Sequence, residues 1–261
     1  MFLDLSLAWP LSPVYAFNFI LVLARVGALL GTAPVIGGRS VPMRAKAGLA
    51  GLTALTLLVA NADRLAPLPE TWATFAGLII QHLLVGLVLG FAAGLTFAAL
   101  QMAGELIGLQ MGFSLARTID PVAQQQVAVI DQLYTVVAGL VFLAVDGHHW
   151  LMLALMRTFD IAPLAGTLSV TGSANGLIAL TASALMLALQ VALPGLAAFI
   201  AADVALGMLV RVAPQMNIFA VGLPLKVALG LLVLAITLGG PSLAVKESLD
   251  GFLLGAEGLW R

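Results

Sequence analysis

The residues that could do chemistry are few, and they stand far apart. Arg25, Glu105, Asp203, Arg211 and Lys226 are each isolated in apolar sequence, and Gln81-His82 interrupts another apolar run. His148 and His149 are adjacent, so on a helix they point to different sides and make poor joint metal ligands. There is no HExxH, GxSxG or Walker A motif, and no cysteine to serve as nucleophile or thiolate ligand. Asp146 and Asp203 lack the glycine–aspartate signature of an aspartyl intramembrane protease. No catalytic constellation, cofactor motif or metal-ligand set emerges, and the chain reads as non-enzymatic. A lone charge in hydrocarbon is costly unless it pairs, snorkels to the interface or meets water, and Arg25 reads as snorkelling or as structurally paired. His82, by the same reasoning, reads as a satisfied structural residue.

The elements that must position these residues are membrane helices. Hydrophobic residues make up 62% of the 261 and charged residues 9%, and mean hydropathy is +1.12. A soluble domain carries roughly 25% charged residues. The formal net charge of −1 offers no basic field for nucleic acid. No positively charged leader precedes Arg25, so no cleavable signal peptide is expected.

The first long apolar segment is expected from about Val14 to Pro34, with Gly27 and Gly31 as a small-residue pair and Arg25 inside it. The loop with Arg39, Arg44 and Lys46 is the densest positive cluster, which places it on the cytoplasmic side and the N-terminus outside. A second segment, Ala47 to Ala60, is short for a span of about 20 residues. After a polar connector, Asn61 to Thr71, a third segment covers Trp72 to Leu100. There Gly86, Gly90 and Gly94 recur every fourth residue, a helix-packing face that continues to Ala98.

Gln101 to Gln126 differs from its surroundings. Gly104, Gly108 and Gly112 repeat the four-residue spacing, Glu105 sits one position off that stripe, and Arg117 to Pro121 breaks the helix before three glutamines. Such a segment belongs inside an assembly or beside water. An apolar segment from Val127 to Val145 follows, then a turn at Asp146 to Trp150 with Trp150 as interface anchor. A short piece carries Arg157 and Asp160, three apart and able to pair; the clearest loop is Pro163 to Asn175. In the last block Asp203 and Arg211, eight apart, lie on one helical face and are candidates to pair with each other or across subunits. Breaks follow at Ala213 to Asn217 and Gly222 to Pro224. Hydropathy alone allows five to seven crossings, and the broken helices point to a chain that completes itself against partners. Isolated charges and broken helices also suit a secondary transporter, but the halves show no convincing internal repeat.

Several stretches, in order, resemble the FliR family of type III secretion export-gate proteins: ARVGALLGTAP (24–34), VPMRAK (41–46), GELIGLQMGFSLARTIDP (104–121), FLAVDGHHWLMLALMRTF (142–159) and LGMLVRVAPQMNIFAVGLPLK (206–226). The resemblance spans roughly residues 14 to 240. It implies an all-α inner-membrane subunit of kinked helical hairpins in the flagellar basal body. Its partners would be FliP-like and FliQ-like subunits and an FlhB-like switch protein, and unfolded rod, hook and filament subunits would pass through the pore. It further implies a FliP-like part and a FliQ-like part dividing near 163–175, with much of the assembly above the bilayer plane. The family's pore plug would fall on Glu105, Gly108, Met111, Gly112, Phe113, Arg117 and Asp120. Gly104 joins Gly86, Gly90 and Gly94 as helix-packing positions. Arg25, Asp203, Arg211, Gln215, Asn217 and Lys226 would be charge-pairing or assembly groups. The homologous gate protein of a virulence injectisome shares these motifs.

Overall fold

The computed structural model describes residues 12–38, 41–112, 128–144, 146–166, 173–215 and 217–237. These residues are helical, as expected: α1 (Pro13–Thr32), α2 (Met43–Ala60), a 3-10 turn (Ala62–Arg64), α3 (Trp72–Gln110), α4 (Ala128–Ala144), α5 (Gly147–Ile161), α6 (Ser173–Val212) and α7 (Ile218–Thr237). No strand occurs among the described residues. Four of these helices are long and apolar enough to cross a membrane, or five if α4 and α5 count as one broken span.

That count meets the hydropathy reading only at its lower limit, and two physical reasons account for it. The α3 helix does not stop near Leu100 but runs on to Gln110, because Gln101, Met102, Glu105 and Gln110 are good helix formers despite their polarity. Its 39 residues would measure about 58 Å, nearly twice the hydrocarbon thickness. The α6 helix likewise continues through Pro194 for 40 residues. The second segment is longer than expected too, starting at Met43 and giving α2 18 residues, enough to span.

The chain divides into two compact units, and the division falls within α3 and α6. The first gathers the described residues up to Gly94 with those of His148–Leu180. Here α1 starts on Pro13, pre-set for a first helical turn, and Pro34 follows its C-terminal end. The chain then passes through a tight turn in which Ile36 N–H donates to the Pro34 carbonyl at 2.8 Å, with Val35 at a φ of 68°. Lys46 Nζ donates to the Gly37 carbonyl at 2.8 Å and ties this loop to α2. One face of α1 is buried: Phe17, Asn18, Leu21, Val22, Arg25, Val26, Leu29 and Leu30. Asn18 works like a stretch of backbone, its amide donating to the Ala66 carbonyl at 2.9 Å and accepting from Ala66 N–H at 2.8 Å. That pair fixes the connector after α2 against α1.

In the second unit, Leu95–Gly147 joins Thr181–Leu249 through its described residues. Ile107 of α3, Met111 just after it, Phe199 of α6 and Val233 of α7 form a buried cluster. Phe97 and Phe142 meet edge to face, with ring centroids 5.5 Å apart, and join α3 to α4.

The glycine stripe of α3 does not have one environment. A Cβ at Gly86 would collide with the Arg25 carbonyl oxygen, and one at Gly90 with the Thr32 hydroxyl, whereas Gly94 has open space. Helices in lipid associate by close packing rather than by expelling water, so these two positions set how near α1 can come. Gly86→Ala is expected to lower stability by about 1–3 kcal/mol, the usual range for overpacking. Gly90→Ala should cost a similar amount, because Thr32 Cβ moves only with its backbone and the Leu29 carbonyl stands close behind it. Gly94→Ala should be neutral or stabilising by up to about 1 kcal/mol through helix propensity. Thermal unfolding of the three purified variants in detergent checks this order.

Candidate functional site

Arg25 is fully buried in the middle of α1. Its guanidinium donates from Nε and Nη2 to Nδ1 of His82 on α3, at 3.1 and 2.6 Å. Nη1 donates to Thr158 Oγ1 on α5 at 3.1 Å, and Nη2 also donates to the Ala162 carbonyl at 2.8 Å. The planar group lies over the Phe159 ring, 4.3 Å from its centroid. Among the described residues its partners are therefore neutral acceptors and an aromatic face.

Each partner is oriented by a bond of its own. Thr158 donates its hydroxyl hydrogen to the Leu155 carbonyl at 2.6 Å, which leaves its oxygen to accept from Arg25. His82 accepts at Nδ1, so the network assigns its hydrogen to Nε2, which faces the Leu164 carbonyl at 3.3 Å. The neighbouring Gln81 amide donates to the Gly166 carbonyl. Three side chains from α1 and α3 thus bind the carbonyls of Ala162, Leu164 and Gly166 in the segment that follows α5. Arg25 is a clamp on three helices.

The second unit carries a different pairing. Asp203 of α6 meets Lys226 of α7 at 2.6 Å. The sequence offered Arg211 as its partner through helical spacing, but the turn after α6 returns α7 alongside and brings Lys226 closer. Arg211 lies exposed in the last turn of α6, and Gln215 and Asn217 lie exposed beyond it. Asp160, which could have paired with Arg157 by spacing, pairs with Arg64 after α2.

At the end of α3, Met111 is buried, and its thioether occupies the space that a Cβ on Gly230 of α7 would need. Gly112 follows at a φ of 90°, a conformation that turns the chain out of the helix and that side-chain-bearing residues rarely adopt. Gly104 and Gly108 are buried on α3, and Glu105 is exposed between them. Phe113, Arg117 and Asp120 lie outside the described residues. The expected turn at Asp146 is present, with Asp146 at a φ of 55°, but Gly147 to Trp150 already form the first turn of α5. His148 and His149 are exposed there, and the described residues contain no group of three His, Cys, Asp or Glu side chains able to hold a metal.

Asn18, Thr158 and Phe159 were not singled out from sequence. Thr158 and Phe159 sit inside the MRTF stretch, and Asn18 lies seven residues before Arg25 on the same helical face, which was the available signal.

Residues 16–251 match the family described as bacterial export proteins, family 1. The chain belongs to that family. It is 37% identical over 216 residues to the flagellar biosynthetic protein FliR of Escherichia coli (strain K12), covering 82% of this chain and 81% of that one. Its counterpart in Bacillus subtilis (strain 168) is 34% identical over 84% of this chain and 85% of its own length. The surface presentation of antigens protein SpaR of Shigella sonnei is 31% identical over 61% of each chain. The Arg25 clamp is thus a structural centre of an export-apparatus membrane protein.

Arg25→Lys keeps the charge but loses the fork and the flat face over Phe159, and should lower stability by about 3 kcal/mol. Thr158→Val keeps the shape but leaves Nη1 without an acceptor, a loss of about 1–3 kcal/mol, while Thr158→Ser should stay near the parent. Melting temperatures in detergent distinguish these.

Proposed function

We propose that this protein is a core subunit of the flagellar type III export gate in the bacterial inner membrane. With FliP-like and FliQ-like subunits it forms the pore through which unfolded rod, hook and filament subunits leave the cytoplasm, and an FlhB-like switch protein joins them. The observation that carries this reading is the match to proteins named FliR over more than four-fifths of the chain. The protein's part is to seal and conduct rather than to catalyse.

Within that role, residues Glu105 to Asp120 are assigned to the pore plug. The support is chemical: a small-residue face at Gly104 and Gly108 leads into the segment, Gly112 redirects the chain, and the bulky apolar Phe113 follows in sequence. A hydrophobic constriction blocks ions by dewetting. The stripe of Gly86, Gly90, Gly94 and Gly104 serves helix packing. Arg25, Asp203, Arg211, Gln215, Asn217 and Lys226 hold the assembly by pairing and hydrogen bonding. A FliP-like part precedes the loop near 163–175 and a FliQ-like part follows it. The shorter match to SpaR supports a second reading, the equivalent gate subunit of an injectisome.

Deletion of the gene, with complementation, tests the assignment. Loss of swimming and of secreted hook and filament proteins at unchanged growth is the expected result, restored by the intact gene. Normal motility with lost effector secretion would move the protein to an injectisome. Normal motility and normal secretion of both classes would sink the gate reading.

A further inference from the structure

The first unit contains an open cleft of about 410 Å³ at the C-terminal end of α2, lined by Asp63, Arg64, Arg157 and Asp160, with Leu153 and Met156 beside them. That volume lies within the range of small-molecule sites, about 300–1,000 Å³. Its four charged side chains are two cations and two anions. The Arg64–Asp160 pair is open to the surroundings, with side chains 57% and 65% exposed.

The position of the cleft says which surroundings those are. Leu49, Leu52, Leu55 and Val59 form an exposed apolar stripe along α2, a span-length helix, and the stripe ends beside the cleft. Past α2 the chain becomes polar, and Trp72, the first residue of α3, is 85% exposed as an interface anchor would be. With α2 across a bilayer, an apolar stripe that ends at a charged hollow would bring the hollow to headgroup level. A ligand that fits both is amphiphilic, and one that fits two cations and two anions is zwitterionic.

We propose that this cleft binds the headgroup of a zwitterionic phospholipid, a phosphatidylethanolamine. The phosphate is received by Arg64 and Arg157, guanidinium groups suited to bidentate phosphate recognition. The ammonium group is received by Asp63 and Asp160, and the acyl chains lie along the α2 stripe and Met156. An anionic headgroup without an amine would satisfy the arginines while leaving both acids facing negative charge. This assignment does not depend on the gate reading.

Native mass spectrometry of the full-length protein, with dioleoyl phosphatidylethanolamine or phosphatidylglycerol added to the detergent, provides the test. The parent should retain phosphatidylethanolamine at least tenfold more strongly. R64Q/R157Q should lose that adduct by a similar factor, whereas R44Q, in the first turn of α2 at the opposite end of that helix, should keep it. D63N/D160N should shift the preference toward phosphatidylglycerol, a gain that misfolding would not produce. Equal retention of both lipids by the parent, or unchanged retention in R64Q/R157Q, overturns the proposal. A photo-crosslinker at position 156 that captures a polypeptide rather than lipid in cells overturns it as well.

Discussion

A guanidinium enclosed by apolar helices has no water to accept its hydrogens, so the protein must supply every acceptor. That constraint organises the first unit. Arg25 reaches His82, Thr158 and the Ala162 carbonyl, and these come from α3, α5 and the segment beyond α5. Replacing one acceptor strands part of a buried charge, which is why such a group holds several elements in register at once. The glycines at 86 and 90 belong to the same arrangement. Only without a Cβ there can the α1 backbone lie close enough for the guanidinium to span to His82.

The second unit solves a related problem with less charge buried. Asp203 and Lys226 neutralise each other between α6 and α7. Met111 fills the space left by Gly230, and Ile107, Phe199 and Val233 close around it. In each unit a polar group from one apolar helix is committed to partners on another, and much of the remaining described helix surface is apolar and exposed. This is what a subunit of a membrane export apparatus requires: a self-consistent interior and an outer surface suited to lipid and to neighbouring apolar helices.

Much of this was legible before the structure. An arginine in the middle of an apolar segment had to pair, snorkel or meet water, and His82 read as a satisfied structural residue. What could not be read was that each was the other's partner, because 57 residues separate them and helix spacing carries no information across segments. Local spacing also misdirected: it suggested Arg211 for Asp203 and Arg157 for Asp160, whereas both acids found cations in other elements. Threonine 158 gave no signal, since a hydroxyl on an apolar helix usually satisfies itself against its own backbone. The apolar segment was bounded near Leu100, whereas α3 continues to Gln110, since Gln, Met and Glu sustain a helix well. Gly112, at a φ of 90°, is where the backbone ends α3.

The account rests on Arg25 and His82 acting as a single unit, and a double-mutant cycle measures that directly. Arg25→Met, His82→Leu and the double variant would be compared by unfolding in detergent. His82→Leu alone strands the guanidinium, so the double variant should be little worse than Arg25→Met, with a coupling above about 1 kcal/mol. If the two losses simply add, within about 0.5 kcal/mol, the residues act independently and the clamp does not organise the first unit.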